Sequence, residues 1–418
     1  MKIFMAFFED RRSQLFSCLR WLVFSCLVGL IVGHVGVVFH LVIEFVTSIR
    51  FDHPGIIYLL PLSGILIVFA YHRCGHYNPR GTDLVISSIR SDERIPLRMA
   101  PLIFFSTIIT HLFGGSAGRE GAALQIGASI SSYLGKLLRL DEKDKKIITM
   151  CGMSACFAAL FGTPITSAIF AMEVVSVGIM HYAAIVPCIF AAFIGSSVAL
   201  YYNILPYHFL IDIIPTISFS LIIKVLIIAI ICAFVSILFC LMLHKASEIF
   251  SRNFPDAYLR IIVGGVLIIT LSVLLNTYDY TGAGMDIIKA TFAGSVIPTA
   301  FFFKMLYTSI TLGSGFKGGE IIPVMFVGST LGAFLASILG IPVALGAGLG
   351  LVALFCGVTN CPLTSIIMSI ELFGSSGLVL YAISVAVSYM LSDFYSLYKD
   401  QKIMYDKVKP TYIDHKTK

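Results

Sequence analysis

The sequence predicts an all-α membrane protein with many tilted and broken helices, on three grounds. Hydrophobic residues fill 58% of the 418 positions, charged residues only 12%, and the mean hydropathy is +0.93; soluble globular chains carry about twice that share of charge. Uncharged runs are long: residues 321–392 hold Glu371 as their only charged side chain, and 147–223 hold only Glu173 and Asp212. These apolar stretches are continuous instead of alternating. In hydrocarbon, where backbone groups must satisfy one another, that pattern selects helices over barrel strands.

Taken in order, the first apolar run, Phe16 to Val46, follows Arg11 and Arg12 and lacks a small-residue cleavage site, so a retained long helix is expected, not a signal peptide. Residues 1–15 then form a cytoplasmic segment, 16–395 the transmembrane domain and 396–418 a cytoplasmic tail too short for a regulatory domain. Positive charge gathers at Arg11, Arg12 and Arg20, between Lys136 and Lys146, and from Lys399 to Lys418. That bias places both termini in the cytoplasm of a multi-pass protein of the cell membrane. A full span needs about 20 residues, so the chain divides into roughly fourteen to eighteen helical pieces, many too short to cross alone. The stretches 141–146 and 244–258 read as the main linkers, the second lying between two halves. The ten cysteines sit mostly in apolar segments without CxxC pairs and read as buried hydrophobes. No metal, cofactor or nucleic acid is expected.

Two windows resemble each other, GTPITSAIFAME from Gly162 and TNCPLTSIIMSIE from Thr359. In both, a proline (Pro164, Pro362) is followed by Thr-Ser two residues on and by a glutamate (Glu173, Glu371) nine on. Each follows a glycine-rich apolar segment, GREGAALQIGASI from Gly118 and GGEIIPVMFVGSTLG from Gly318. Duplicated segments interrupted by glycine and proline point to a transporter site near the membrane midplane, where broken helices aim their amide ends at an anion. Repeat one is expected over about 56–203 and repeat two over about 216–395.

The strongest local signal is GGSAGREGAALQIG, residues 114–127, which sets Arg119 and Glu120 in a glycine-rich break that opens a helix. Glycine lets backbone approach a ligand closely, and the free N–H groups of a helix start, with the positive end of its dipole, form an anion site. An ionised Glu120 would occupy that site itself. Protonated, it loses its reason to stay and can swing aside to admit an ion, a physical basis for exchanging a proton against an anion. The plainer role, neutralising Arg119 or complementing the helix start, stays open beside it.

This pattern resembles the gating-glutamate signature of the CLC family of anion channels and anion/proton antiporters. Three further stretches match that family in order. The loop from Asn78 to Val85 stands where the family has a GSGIP-type loop and puts Thr82 at its anion-coordinating serine; Asp83 and Val85 depart from the pattern. Gly315 to Pro323 is similar to the GxFxP helix start, with Glu320 in place of an apolar residue and Ile321 in place of phenylalanine. Asp393 to Lys399 corresponds to the helix that supplies a tyrosine hydroxyl, here Tyr398 by spacing. The resemblance runs from about Leu22 to Tyr405 and implies two inverted repeats. It also implies gating and proton roles for Glu120 and Glu320, and an anion held by Thr82, Gly118, Arg119, Gly121, Gly319, Ile321, Ile322 and Tyr398. Homodimers are implied too, with the uncharged helices near Pro187 to Tyr202 and Val379 to Met390 available for contact.

Within the family, GGE at Gly318 and QKIMY at Gln401 resemble a bacterial branch that exports fluoride against protons, as does Val174 where many chloride exchangers carry a second proton glutamate. A protonated Glu320 would give fluoride, small and strongly hydrated, the hydrogen bond it needs. Thr82 and Ile322 depart from that branch, which has Met and Thr there. Chloride/proton exchange and passive chloride conduction are therefore the alternatives. Glu173 and Glu371 either line a proton route or fasten helices by hydrogen bonds. An enzyme is not expected: His40, Glu44 and His111 form no HExxH and no nucleophile-base pair at supporting spacing.

Overall fold

The structure, a computed structural model, describes residues 2–75, 80–91 and 93–418, the side chains of 2–11 and 13 excepted. Asn78 and Pro79 of the loop singled out above lie outside the described residues. Sixteen α-helices among the described residues fall into two series of eight. The first comprises α1 (Lys2–Asp52), α2 (Leu60–Arg73), α3 (Thr82–Arg90), α4 (Met99–Leu112), α5 (Glu120–Leu137), α6 (Glu142–Phe161), α7 (Pro164–Glu173) and α8 (Ile185–Tyr201). The second comprises α9 (Phe219–Asn253), α10 (Ala257–Leu275), α11 (Met285–Phe292), α12 (Ala300–Ser314), α13 (Ile321–Leu339), α14 (Val343–Thr359), α15 (Pro362–Phe373) and α16 (Leu378–Leu391). Each series opens on a long helix and places its short ones alike, so α5, α6 and α7 answer to α13, α14 and α15. The parallel includes α1, ahead of residue 56. Six helical stretches among the described residues are long and apolar enough to cross a membrane.

The two series use the same packing device. A side chain at Gly127 of α5 would stand 2.1 Å from the carbonyl oxygen of Gly152 in α6, and one at Gly332 of α13 would stand 2.1 Å from that of Gly346 in α14. Between lipid-immersed helices, where water expulsion gives little, such small-residue crossings let backbones touch and gain dispersion energy. Both α7 and α15 start on a proline, which has no N–H to leave unpaired at that position.

Those two helices also cap each other. Glu173, at the end of α7, accepts from the backbone N–H of Leu363 (3.0 Å) and Thr364 (2.8 Å) and from the Thr364 hydroxyl (2.6 Å) at the start of α15. Glu371 of α15 accepts in turn from Ile165 (3.0 Å) and Thr166 (2.8 Å) at the start of α7. Reciprocal carboxylate caps satisfy amides that a helix start leaves free.

Two expectations change. Residues 141–146 are a helix start, not a linker: Asp141 accepts from the Asp144 N–H at 2.7 Å and α6 begins there. Residues 244–258 are mostly helical, leaving only 254–256 between α9 and α10. In the last stretch of chain, β2 (Lys402–Tyr405) pairs in parallel with β1 (Ser176–Val177) and antiparallel with β3 (Tyr412–Lys416).

Candidate ion site where two helix starts meet

The break before α5 and the break before α13 touch. Gly118 N–H donates to the Gly319 carbonyl at 2.6 Å and Gly319 N–H to the Gly118 carbonyl at 2.7 Å, an isolated antiparallel bridge between the two halves. Glycine is needed at Gly319, where a side chain would come within 2.4 Å of the Gly121 nitrogen; one at Gly118 would displace the Glu120 carboxylate, whose Oε2 stands 2.6 Å away. Two helix N-termini are thereby aimed at one place.

Glu120 lies at that place and is wholly buried. Its Oε2 accepts from the Arg119 N–H at 3.0 Å, and the backbone N–H of Ile322, at the other helix start, also faces the carboxylate. Its Oε1 has no hydrogen-bond partner and stands 3.8 Å from Arg119 Nε. The Arg119 guanidinium donates to the Tyr207 hydroxyl, and Tyr207 is held by its N–H on the Phe161 carbonyl at 3.2 Å.

The other predicted residues divide between two cavities. A small one of about 140 Å³ is lined by Thr82, Gln125, Lys317, Glu320 and Tyr398. Here Gln125 donates to the Thr82 hydroxyl at 3.3 Å, while the Tyr398 hydroxyl and Glu320 Oε2 are buried without a partner. A larger cavity of about 760 Å³ reaches Arg119 and Ile322. Glu120 lines neither of the two. Gly118, Gly121, Gly319 and Ile321 form the buried crossing itself. Glu173 and Glu371, engaged in their caps, line neither cavity. Three buried oxygens without partners stand around one helix crossing: water can donate to any of them, and the Tyr398 hydroxyl, or a carboxyl once protonated, can donate to an anion.

Comparison with known proteins agrees with this geometry. Residues 63–393 match the family described as voltage gated chloride channel. The chain belongs to this family, the CLC family. A "Chloride/fluoride channel protein" of Pseudomonas syringae pv. tomato is 36% identical over 395 residues, covering 93% of this chain and 87% of the relative. An "H(+)/Cl(-) exchange transporter ClcA" of Vibrio parahaemolyticus is 24% identical, over 89% and 85% of the two chains. Among solved structures, a CLC-type fluoride/proton antiporter superposes with a TM-score of 0.89 at 34% identity, covering 92% of this chain and 98% of that one. A slow cyanobacterial Cl-/H+ antiporter shares the fold at a TM-score of 0.76 and 19% identity.

Gln125, Lys317 and Tyr207 join the site of this CLC protein without having been singled out from sequence. Gln125 sits one helical turn beyond Gly121, a spacing that makes it legible. Tyr207 comes from a non-helical stretch with no local signal.

Proposed function

We propose that this CLC protein exports fluoride in exchange for protons, with Glu120 as the gate. The observation that carries the reading is the buried Glu120 carboxylate resting on the amides of both helix starts, in the berth an anion would take. Fluoride over chloride is supported by Glu320, a second carboxylate whose free Oε2 shares the small cavity with Tyr398 and Thr82. Protonated, Glu320 and Tyr398 each donate a strong hydrogen bond to a hard anion. The names of the Pseudomonas relative and of the 34% identical antiporter point the same way. The Thr82 hydroxyl, at the family's serine position, favours chloride/proton exchange as the second reading.

The work is transport, with no bond of the ion's making or breaking beyond a proton's transfer. Reciprocal capping supports a fastening role for Glu173 and Glu371 over a proton route. The protein acts as a homodimer in the bilayer, with α8 and α16 in contact; exposed Phe190, Phe193, Val379 and Met390 on those helices supply an apolar surface. The deciding experiment loads purified protein in liposomes with fluoride or chloride and follows each ion and pH together. Fluoride flux above chloride flux, with protons moving oppositely, supports the reading; chloride flux above fluoride flux ends it.

A further inference from the structure

Arg50 stands near the end of α1 on the wall of the larger cavity, 8% exposed. Its guanidinium packs against Gly282 and, among the described residues, makes a single hydrogen bond, a long one of 3.4 Å from Nη1 to the His111 carbonyl. Among those residues it has no ion-pair partner, and the acid whose field reaches it is Asp286 of the same cavity. Lys304 lies close by, fully buried, its ammonium on the carbonyls of Tyr280 (3.2 Å) and Gly282 (2.7 Å), again with no carboxylate paired to it among the described residues. Gly282 thus sits between two cations. Arg119 and Lys289 line the same cavity as Arg50. Of the acids there, Glu44 is already engaged by His40 at 2.9 Å, leaving Asp279 and Asp286.

A guanidinium carries five donors in a rigid fork, and burying one without an anion is costly. The donors that Arg50 leaves unused border a space of about 760 Å³, much larger than a bare halide and sufficient for one with its water shell. The path onward is short. His111, whose carbonyl receives Arg50, donates its Nε2 hydrogen to the Gly118 carbonyl at 3.3 Å, at the crossing itself.

We propose that Arg50 forms a second anion site, where a small hydrated monovalent anion docks on its way to or from Glu120, with Lys304 deepening the positive field. The inference rests on the anion-transport reading. Gly282 belongs to the site as well, since any side chain there would meet Arg50 Nη1 at 2.0 Å.

The test compares the parent chain with Arg50→Met and Arg50→Lys in liposomes, measuring fluoride flux against concentration. Arg50→Met is expected to raise KM roughly tenfold while kcat stays within about twofold, and Arg50→Lys to restore most of the loss. A KM unchanged in Arg50→Met, or a loss confined to kcat, overturns the second site and leaves the gate reading standing. A parent chain that moves neither fluoride nor chloride overturns both, with the gate reading at fault. If Arg50→Met does not fold, crystals of the parent soaked in sodium bromide decide. Anomalous density against the guanidinium supports the site, and a guanidinium bare of bromide overturns it.

Discussion

Glu120 keeps Oε1 without a donor while Arg119 Nε stands 3.8 Å away and three backbone amides face the carboxylate. Its charge is therefore shared between the Arg119 guanidinium and the helix-start amides. Replacing it with glutamine leaves shape and size but removes the titration. Glu120→Gln is expected to abolish proton movement coupled to the anion, read as a flat pH trace during anion flux in liposomes. Glu320→Ala removes a hydrogen-bond donor from the small cavity, and a bond to a charged partner is worth about 1.5–3 kcal/mol. Fluoride flux should fall by about tenfold or more while the parent's chloride flux changes little. The sequence singles out both glutamates, because a carboxylate beside glycines in an apolar, membrane-spanning stretch is costly to bury. It does not single out Arg50 and Lys304, since nothing along the chain shows that their acceptors are the carbonyls of His111, Tyr280 and Gly282.

Helix starts and crossings carry the fold at the level of elements. The duplicated Pro-x-Thr-Ser windows announced paired elements, and the structure shows what the terminal glutamates of α7 and α15 do: each closes the other's open end. Which helix they would reach was not readable, because the partners lie about two hundred positions away, Leu363 being 190 from Glu173. Glu173→Ala strands two amides and a hydroxyl, a loss of about 2 kcal/mol or more. It should lower the Tm of the purified protein, with Glu173→Gln falling in between. An unchanged Tm in Glu173→Ala would count against the fastening role. The glycine crossings make a sharper case. Gly332→Leu drives carbon into the Gly346 carbonyl region, so the variant should fail to yield monodisperse protein on size exclusion.

At the scale of the whole molecule, the final residues are a strap and not a loose end. Gln401 is buried and gives its amide hydrogens to the carbonyls of Val174 (2.9 Å) and Thr359 (2.8 Å), while its oxygen accepts from Ser396 at 2.7 Å. Strands so short, paired to residues far upstream, leave no periodicity to read; the QKIMY run was conspicuous without revealing this. Beside the strap, Arg80 bridges Glu93 (3.0 Å) and Asp400 (2.5 Å), tying the start of α3 to the chain's last stretch. The Ser87 hydroxyl, and then Arg80, hold the Glu93 carboxyl below the ordinary glutamate range. A depressed carboxylate adds stability above its unfolded value and loses it as pH falls through the folded one. Amide protection over residues 80–91, the exchange rate taken relative to that of an unfolded chain at the same pH, should therefore be level from about pH 7 to pH 5 and fall below about pH 4. The effect is modest, since the Arg80–Glu93 pair is exposed to solvent.

The Gly118–Gly319 bridge limits how such a protein can move. Prising one half from the other would break two backbone bonds of 2.6 and 2.7 Å and strand four groups in a dry interior, at about 1–3 kcal/mol apiece. Rocking of large blocks about the midplane, the device of many carriers, would have to break this rivet at the centre of the scaffold. For the exchange proposed above, a frame pinned at its centre favours side chains that pivot over halves that part.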